Sequence, residues 1–190
     1  MKEGVLMFSY TYDDDIKVSL PVPHIDAPKL FPLIKNSGET ISTWLPWAKN
    51  LQTVSDEESF LKMVLKNFGT GDSLNCVVHF QDQPVGMISL NKIDKANNCA
   101  DIGYWLGSEW THRGIMHRAV SAIIAIGFTE YHLNKITIEA DVNNLASNKV
   151  AEKLNFHLDG TKREALKYSD YKFGDMNEWS LLKKEWQKIN

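Results

Sequence analysis

The residues Asp101 to Arg118, Asp-Ile-Gly-Tyr-Trp-Leu-Gly-Ser-Glu-Trp-Thr-His-Arg-Gly-Ile-Met-His-Arg, constrain the fold of this chain more than any other stretch. Ile102, Tyr104 and Leu106 alternate with Asp101, Gly103 and Trp105, the two-residue period of a strand. The alternation breaks at Gly107-Ser108. After a short polar turn, Ile115, Ala119, Ala122, Ile123 and Ile126 follow the spacing of a helix laid on a sheet. A strand feeding a helix through Arg113-Gly114 gathers unpaired backbone N–H groups at the positive end of the helix dipole. Two readings fit that turn: an anion cradle built by Thr111 to His117, or a plain tight turn with a helix cap.

The surrounding elements place this unit inside an α/β domain spanning residues 1–190. Met1 to Asp15 is polar and acidic around Asp13-Asp14-Asp15, and reads as a short extra strand or a loose end. Ile16 to Leu20 alternates as a first strand. Asp26 is expected to cap a helix reaching Lys35, with Pro28 tolerated in its first turn and Pro32 shortening or kinking it. Trp44-Leu45-Pro46-Trp47 fits either a core plug or the wall of a substrate groove. Ser55 with Glu58 forms an expected capping box. It opens a helix with Phe60, Leu61, Val64, Leu65 and Phe68 on one face, closed by Gly69. Leu74–Phe80 and Val85–Leu90 read as strands joined by a turn at residues 81–84, and a second turn at 94–98 returns the chain to Asp101. Lys135–Ala140 is a strand after the central helix, so strand–helix–strand order predicts that it pairs parallel to the Asp101 strand. Asn144 and Ser147 sit at the N-cap and third position of a further helix carrying Val150, Ala151 and Leu154. Asn155 is its left-handed end, and short strands are expected near residues 157–158 and 178–183.

Composition excludes several classes. A net charge of −3 with no Lys/Arg run disfavours nucleic-acid binding. No apolar run approaches the roughly 20 residues of a membrane span and no signal-peptide pattern opens the chain, so the expectation is a soluble cytoplasmic protein with no membrane partner. Cys76 and Cys99 lack metal-type spacing and read as reduced structural residues; no metal site is expected. The glycine spacing matches neither a Walker loop nor a dinucleotide fingerprint.

The segment 102–106 followed by Thr111-His112-Arg113-Gly114-Ile115-Met116 resembles motif A of the GNAT N-acetyltransferases, closest to the Rim-type ribosomal-protein branch. Asn144-Leu145-Ala146-Ser147 with Val150 to Phe156 resembles motif B. Trp44 to Trp47 followed by Ser55 is similar to the N-terminal segment of the family, and Val85-Gly86 to its hairpin strand. The resemblance implies a mixed, mainly antiparallel α+β sheet flanked by helices, with a central parallel strand pair that splays to admit acetyl-CoA as co-substrate. It implies that Thr111, His112, Arg113, Gly114, Ile115, Met116 and His117 hold the pyrophosphate, that Asn144 and Ser147 meet the rest of the cofactor, and that a backbone N–H near Leu106 holds the thioester oxyanion. Thr111 and His112 stand where Gln or Arg and then Gly are usual. Ser147 is the expected proton donor to the leaving thiolate. Asp101 and Glu164 are the candidate bases, because Leu166 occupies the position at which some relatives carry a glutamate. The implied activity is direct transfer of acetyl to a primary amine, expected to be the N-terminal α-amine of a ribosomal-type protein. Alternatives are a small-molecule amine, such as a polyamine or antibiotic, or a non-catalytic CoA-binding sensor. A homodimer is an expectation by resemblance.

Overall fold

A computed structural model describes residues 8–169 and 171–189. Eight strands form one sheet: β1 (Ser9–Thr11), β2 (Ile16–Ser19), β3 (Leu74–Phe80), β4 (Gln83–Asp94), β5 (Cys99–Leu106), β6 (Lys135–Asp141), β7 (His157–Ser169) and β8 (Lys172–Leu182). Their order across the sheet is β1-β2-β3-β4-β5-β6-β8-β7, antiparallel throughout except for the parallel pair β5–β6. Six helices accompany them: α1 (Pro23–Ser37), α2 (Glu39–Ser42), α3 (Val54–Thr70), α4 (Ile115–Thr129), α5 (Leu145–Lys153) and α6 (Lys183–Ile189).

Strand periodicity distributes the core over both faces. On β3, β4 and β5, Cys76, Val78, Ile88, Leu90, Ala100 and Ile102 pack with α4 residues Ile115, Ala119, Ile123 and Phe128. The intervening Val77, Met87 and Trp105 point the other way and pack with Ala27, Leu30, Ile34 of α1 and Leu61 of α3. Every second residue therefore serves one face, and both faces are covered. Among the described residues, no helix is long and apolar enough to cross a membrane.

The parallel pair is short. Registers run Cys99↔Lys135, Ala100↔Ile136, Asp101↔Thr137 and Ile102↔Ile138, and stop there. Both strands continue, β5 to Leu106 alongside β4 and β6 to Asp141 alongside β8. A gap therefore opens between residues 103–106 and 139–141.

Several local expectations are corrected. α1 begins at Pro23, not at Asp26, and Asp26 instead reaches back one turn to accept the Val22 N–H at 2.6 Å. Neither Pro28 nor Pro32 ends that helix; both lie on its exposed face. The capping box of α3 is Thr53 with Asp56 rather than Ser55 with Glu58: Asp56 N donates to Thr53 Oγ1 at 3.1 Å and Thr53 N to Asp56 Oδ2 at 2.8 Å. α3 passes through Gly69 and ends on Gly71, whose φ of 75° is the left-handed conformation of a C-cap. The β3–β4 turn uses only Gln81 and Asp82, both with positive φ, as a two-residue hairpin requires. The last two strands are 13 and 11 residues long, and Lys183 opens a helix instead of closing a strand.

Candidate active site

The gap between β5 and β6 is the floor of a cleft of about 730 Å³. Its walls include Trp44, Pro46 and Trp47, the turn 111–117 apart from Arg113, the start of α5 at Asn144, Ala146 and Ser147, and Leu166, Tyr168 and Met176 from the last hairpin. Trp47 is 41% exposed, so the Trp44–Trp47 segment walls a groove and does not plug the core.

The backbone of β5 has a defined polarity here. Gly107 N donates to Val85 O at 2.9 Å, which makes residues 85 and 107 a hydrogen-bonded pair of the antiparallel ladder. The next pair, Gly86↔Leu106, is then non-hydrogen-bonded, so the Leu106 N–H and C=O face away from β4. On that side β6 has already departed. The Leu106 N–H is directed into the cleft.

At one end of the cleft, the turn before α4 presents further donors. Gly114 takes φ 70° at the N-cap and Ile115 begins the helix, with no side chain capping it. The N–H groups of the first helical turn have no partner within the helix, and the dipole adds positive character at the same point. Glycine is required here by its left-handed backbone, and nothing lies within 4 Å of where a Cβ would stand. His112 also adopts positive φ, 62°. Arg113 is turned out of the cleft, its guanidinium 5.0 Å from the Trp110 ring centroid.

On the opposite wall, Asn144 Oδ1 accepts the Ser147 N–H at 3.2 Å, the N-cap bond that the sequence predicts. The Ser147 hydroxyl lies 2.9 Å from the Tyr104 hydroxyl. Burial pushes the Tyr104 phenol up to about 12, with the Ser147 contact opposing that rise, so the phenol stays protonated at neutral pH. Deeper in the cleft the buried Asp141 accepts from Asn143 N at 2.8 Å and from the Tyr168 hydroxyl at 2.9 Å. Burial, and then this contact with Asp141, raise the Tyr168 phenol.

Of the residues singled out from sequence, Leu106, Thr111, His112, Gly114, Ile115, Met116, His117, Asn144 and Ser147 meet around this cleft. Asp101 and Glu164 do not line it. Asp101 shares the side of β5 that carries Gly103 and Trp105, whereas Tyr104 points to Ser147; its carboxylate accepts from Asn91 Nδ2 at 3.2 Å. Glu164 is exposed on β7, and its backbone N–H is bonded to Asp175 Oδ1 at 2.7 Å. Tyr104 as the partner of Ser147, and Asp141, were not singled out. The alternation of β5 does put Tyr104 on the face of Ile102 and Leu106, but its pairing with a residue 43 positions away is tertiary.

Among the described residues no group of His, Cys, Asp or Glu is arranged to hold a metal ion. Cys76 and Cys99 are free thiols, and burial pushes the Cys76 thiol up to about 12.

Comparison with known proteins agrees with this geometry. Residues 19–157 match the acetyltransferase (GNAT) domain family. The chain is 30% identical over 182 residues to YdaF of Bacillus subtilis (strain 168), provisionally named a ribosomal N-acetyltransferase, covering 95% of this chain and 98% of that one. It is 32% identical over 144 residues to the ribosomal-protein-serine acetyltransferase of Escherichia coli (strain K12), covering 74% and 80%. Among solved structures, the microcin C7 self-immunity acetyltransferase MccE, in complex with acetyl-CoA and AMP, superposes with a TM-score of 0.84 at 26% identity over 90% of this chain and 94% of that one. By its sequence, its sheet and its splayed parallel pair, this chain belongs to the GNAT family of acetyltransferases.

Proposed function

We propose that the chain moves an acetyl group from acetyl-CoA to a primary amine, with the N-terminal α-amine of a ribosomal-type protein as the acceptor, by direct attack. The observation that carries the reading is the splay. β5 and β6 separate after Ile102 and Ile138, and that gap joins the uncapped start of α4 to the Ser147–Tyr104 pair. A pyrophosphate suits the N–H cluster at 114–117, and an extended chain suits the gap leading from it. The protein acceptor is read across from the names of the two bacterial relatives.

In this reading the Leu106 N–H stabilises the oxyanion that forms as the amine adds to the thioester carbon. The C–S bond then breaks, and the departing thiolate takes a proton from the Ser147 hydroxyl. Tyr104, held protonated, hydrogen-bonds the Ser147 hydroxyl and orients it, and the proton that the amine sheds returns to Ser147 through solvent, so the transfer balances. No covalent enzyme intermediate is needed. His112 and His117 stand at the phosphate end, and Arg113 contributes there by its backbone N–H, its guanidinium being turned toward Trp110. The same reading sets the reaction in the cytoplasm.

A small-molecule acceptor is the second reading. It is favoured by the aromatic lining that Trp44, Trp47 and Tyr168 give to one cleft. Release of CoA thiol, measured with a panel of seryl peptides, other N-terminal peptides and polyamines, separates the two. The first reading expects kcat/KM for peptides to exceed that for any free amine; the reverse order overturns it. Tight acetyl-CoA binding with no turnover on any acceptor would leave a CoA sensor. Ser147→Ala is expected to lower kcat by about 10²-fold with acetyl-CoA affinity unchanged, and an unchanged kcat removes Ser147 from proton transfer.

A further inference from the structure

A second chamber, also of about 730 Å³, lies on the other face of β5. Leu45, Trp47, Gly103, Tyr104 and Trp105 wall both this chamber and the cleft, so the two adjoin through the strand that carries the reacting end of the site. The chamber is roofed by α3 and is mainly apolar, with Trp47 and Phe60 stacked at 6.4 Å between ring centroids. Most of its buried or half-buried polar side chains are committed elsewhere. Asn75 donates to Ser73 Oγ at 3.1 Å, Ser89 to the Gly103 carbonyl at 3.2 Å, and Asn91 to Asp101 at 3.2 Å.

Glu57 is not so committed, and it is the most deeply buried of them. It lines the chamber at 1% exposure, and its Oε1 is fully buried with no hydrogen-bond partner. A buried carboxylate oxygen without a donor is unfavourable unless something of opposite charge meets it. Among the described residues no cationic side chain is paired with Glu57. Lys35 of α1, the helix packed against α3, donates to the Leu51 carbonyl at 3.3 Å. The other charged groups lining the chamber are Lys92, which is exposed, and Asp72, whose carboxylate accepts from Thr70 Oγ1 at 2.6 Å.

We infer that this chamber seats the acceptor, and that Glu57 receives its ammonium group and takes the proton that must leave before attack. The inference rests on the acetyl-transfer reading above and names the substrate class, a cationic amine, together with a base drawn from the chamber that adjoins the cleft, an alternative to Asp101 and Glu164. One N–H bond of the ammonium breaks and an O–H bond forms on Glu57. The freed lone pair then makes the N–C bond as C–S breaks, and the thiolate is protonated from Ser147. Burial pushes the Glu57 carboxyl up to about 7, so its proton affinity suits a base working at neutral pH. An apolar wall with one buried carboxylate also rejects acceptors that lack a cation, because these leave the charge unpaired.

The test uses the full chain, acetyl-CoA, a seryl peptide and a polyamine. Glu57→Gln is expected to reduce kcat/KM for the amine by about 10²-fold, with acetyl-CoA affinity within twofold of wild type. It is also expected to remove the acidic limb, near pH 7, from the kcat/KM profile, while Glu57→Asp retains part of the rate with a displaced limb. A Glu57→Gln rate within threefold of wild type and an unmoved limb overturn the inference. If wild type turns over no acceptor, the acetyl-transfer reading fails by itself, and calorimetry then decides the chamber. Amine binding lost in Glu57→Gln, with the N-acetylated peptide bound equally weakly by both forms, supports it; equal amine binding by both forms overturns it.

Discussion

Glu57→Gln also makes a prediction about stability that is independent of any acceptor. The carboxyl has an ordinary value of 4.5 and is pushed up to about 7 by burial. Below pH 4.5 both folded and unfolded chains carry this proton, and the group has no effect on the balance between them. Between 4.5 and 7 the unfolded chain releases the proton while the folded chain keeps it, so stability falls as pH rises; above 7 the penalty is constant. At about 1.4 kcal/mol for each tenfold change in proton affinity, the ceiling on that penalty is about 3 kcal/mol. Relaxation of the protein around the charge lowers it, leaving about 1–2 kcal/mol. Glutamine has the shape of the protonated acid and never ionises, so it removes the penalty. Thermal melts should show wild type and Glu57→Gln matched near pH 4. By pH 8 the variant should melt higher by about 2–8 °C, at about 2–4 °C per kcal/mol for a chain of this size. A difference that does not change between pH 4 and pH 8, or a variant less stable at pH 8, would refute the reasoning. A residue that costs stability in the resting protein and is needed for turnover is the pattern expected of a functional group.

Three further perturbations follow from the geometry. Tyr104→Phe removes the partner of Ser147 without disturbing the Asn144 cap; kcat should fall by about tenfold or more, with CoA affinity unchanged by calorimetry. Gly86→Ala would put a Cβ 2.2 Å from the Trp105 carbonyl oxygen and 2.9 Å from Leu106 Cα, both backbone atoms. A shift in the β4–β5 ladder costing about 1–3 kcal/mol is expected by denaturant melts, with a larger fractional loss of transfer because the Leu106 N–H moves with it. Thr53→Ala breaks the capping box of α3 and should cost about 1 kcal/mol in the same melts, with kcat unaltered.

The central strand–turn–helix unit is legible because its hydrophobic period changes from two residues to about 3.6 within 18 residues, and the change falls at the turn that borders the cleft. Helix starts are less so. Ser55–Glu58 and Thr53–Asp56 are both acceptable boxes two residues apart, and only the path of the chain into α3 selects the second. The long final hairpin is hidden for another reason. β7 is exposed on both faces for most of its length, so no apolar alternation exists to be read. Asp101 shows where spacing is informative yet easily overlooked. Tyr104 is three positions further on, an odd offset, so the two must lie on opposite faces of one strand. Glu57 is a different case, since nothing in Ser-Asp-Glu-Glu distinguishes the glutamate that is buried at the chamber from the one that is not. Its environment is assembled from α3, β4 and β5, and exists only in the folded chain.

The brevity of the β5–β6 pairing divides the sheet mechanically. Five strands, β1 to β5, form one leaf and β6, β8 and β7 form another, and four registers stitch them together. Within the second leaf, β6 is held to β8 over seven registers, so each leaf is stiffer than the seam between them. Beyond their shared core under α4, the two leaves are therefore expected to open first along the Cys99–Ile102 seam, where no ladder of either leaf need break. Amide exchange should detect this as faster opening along the seam than along β3–β4, and a ligand spanning both leaves should slow it.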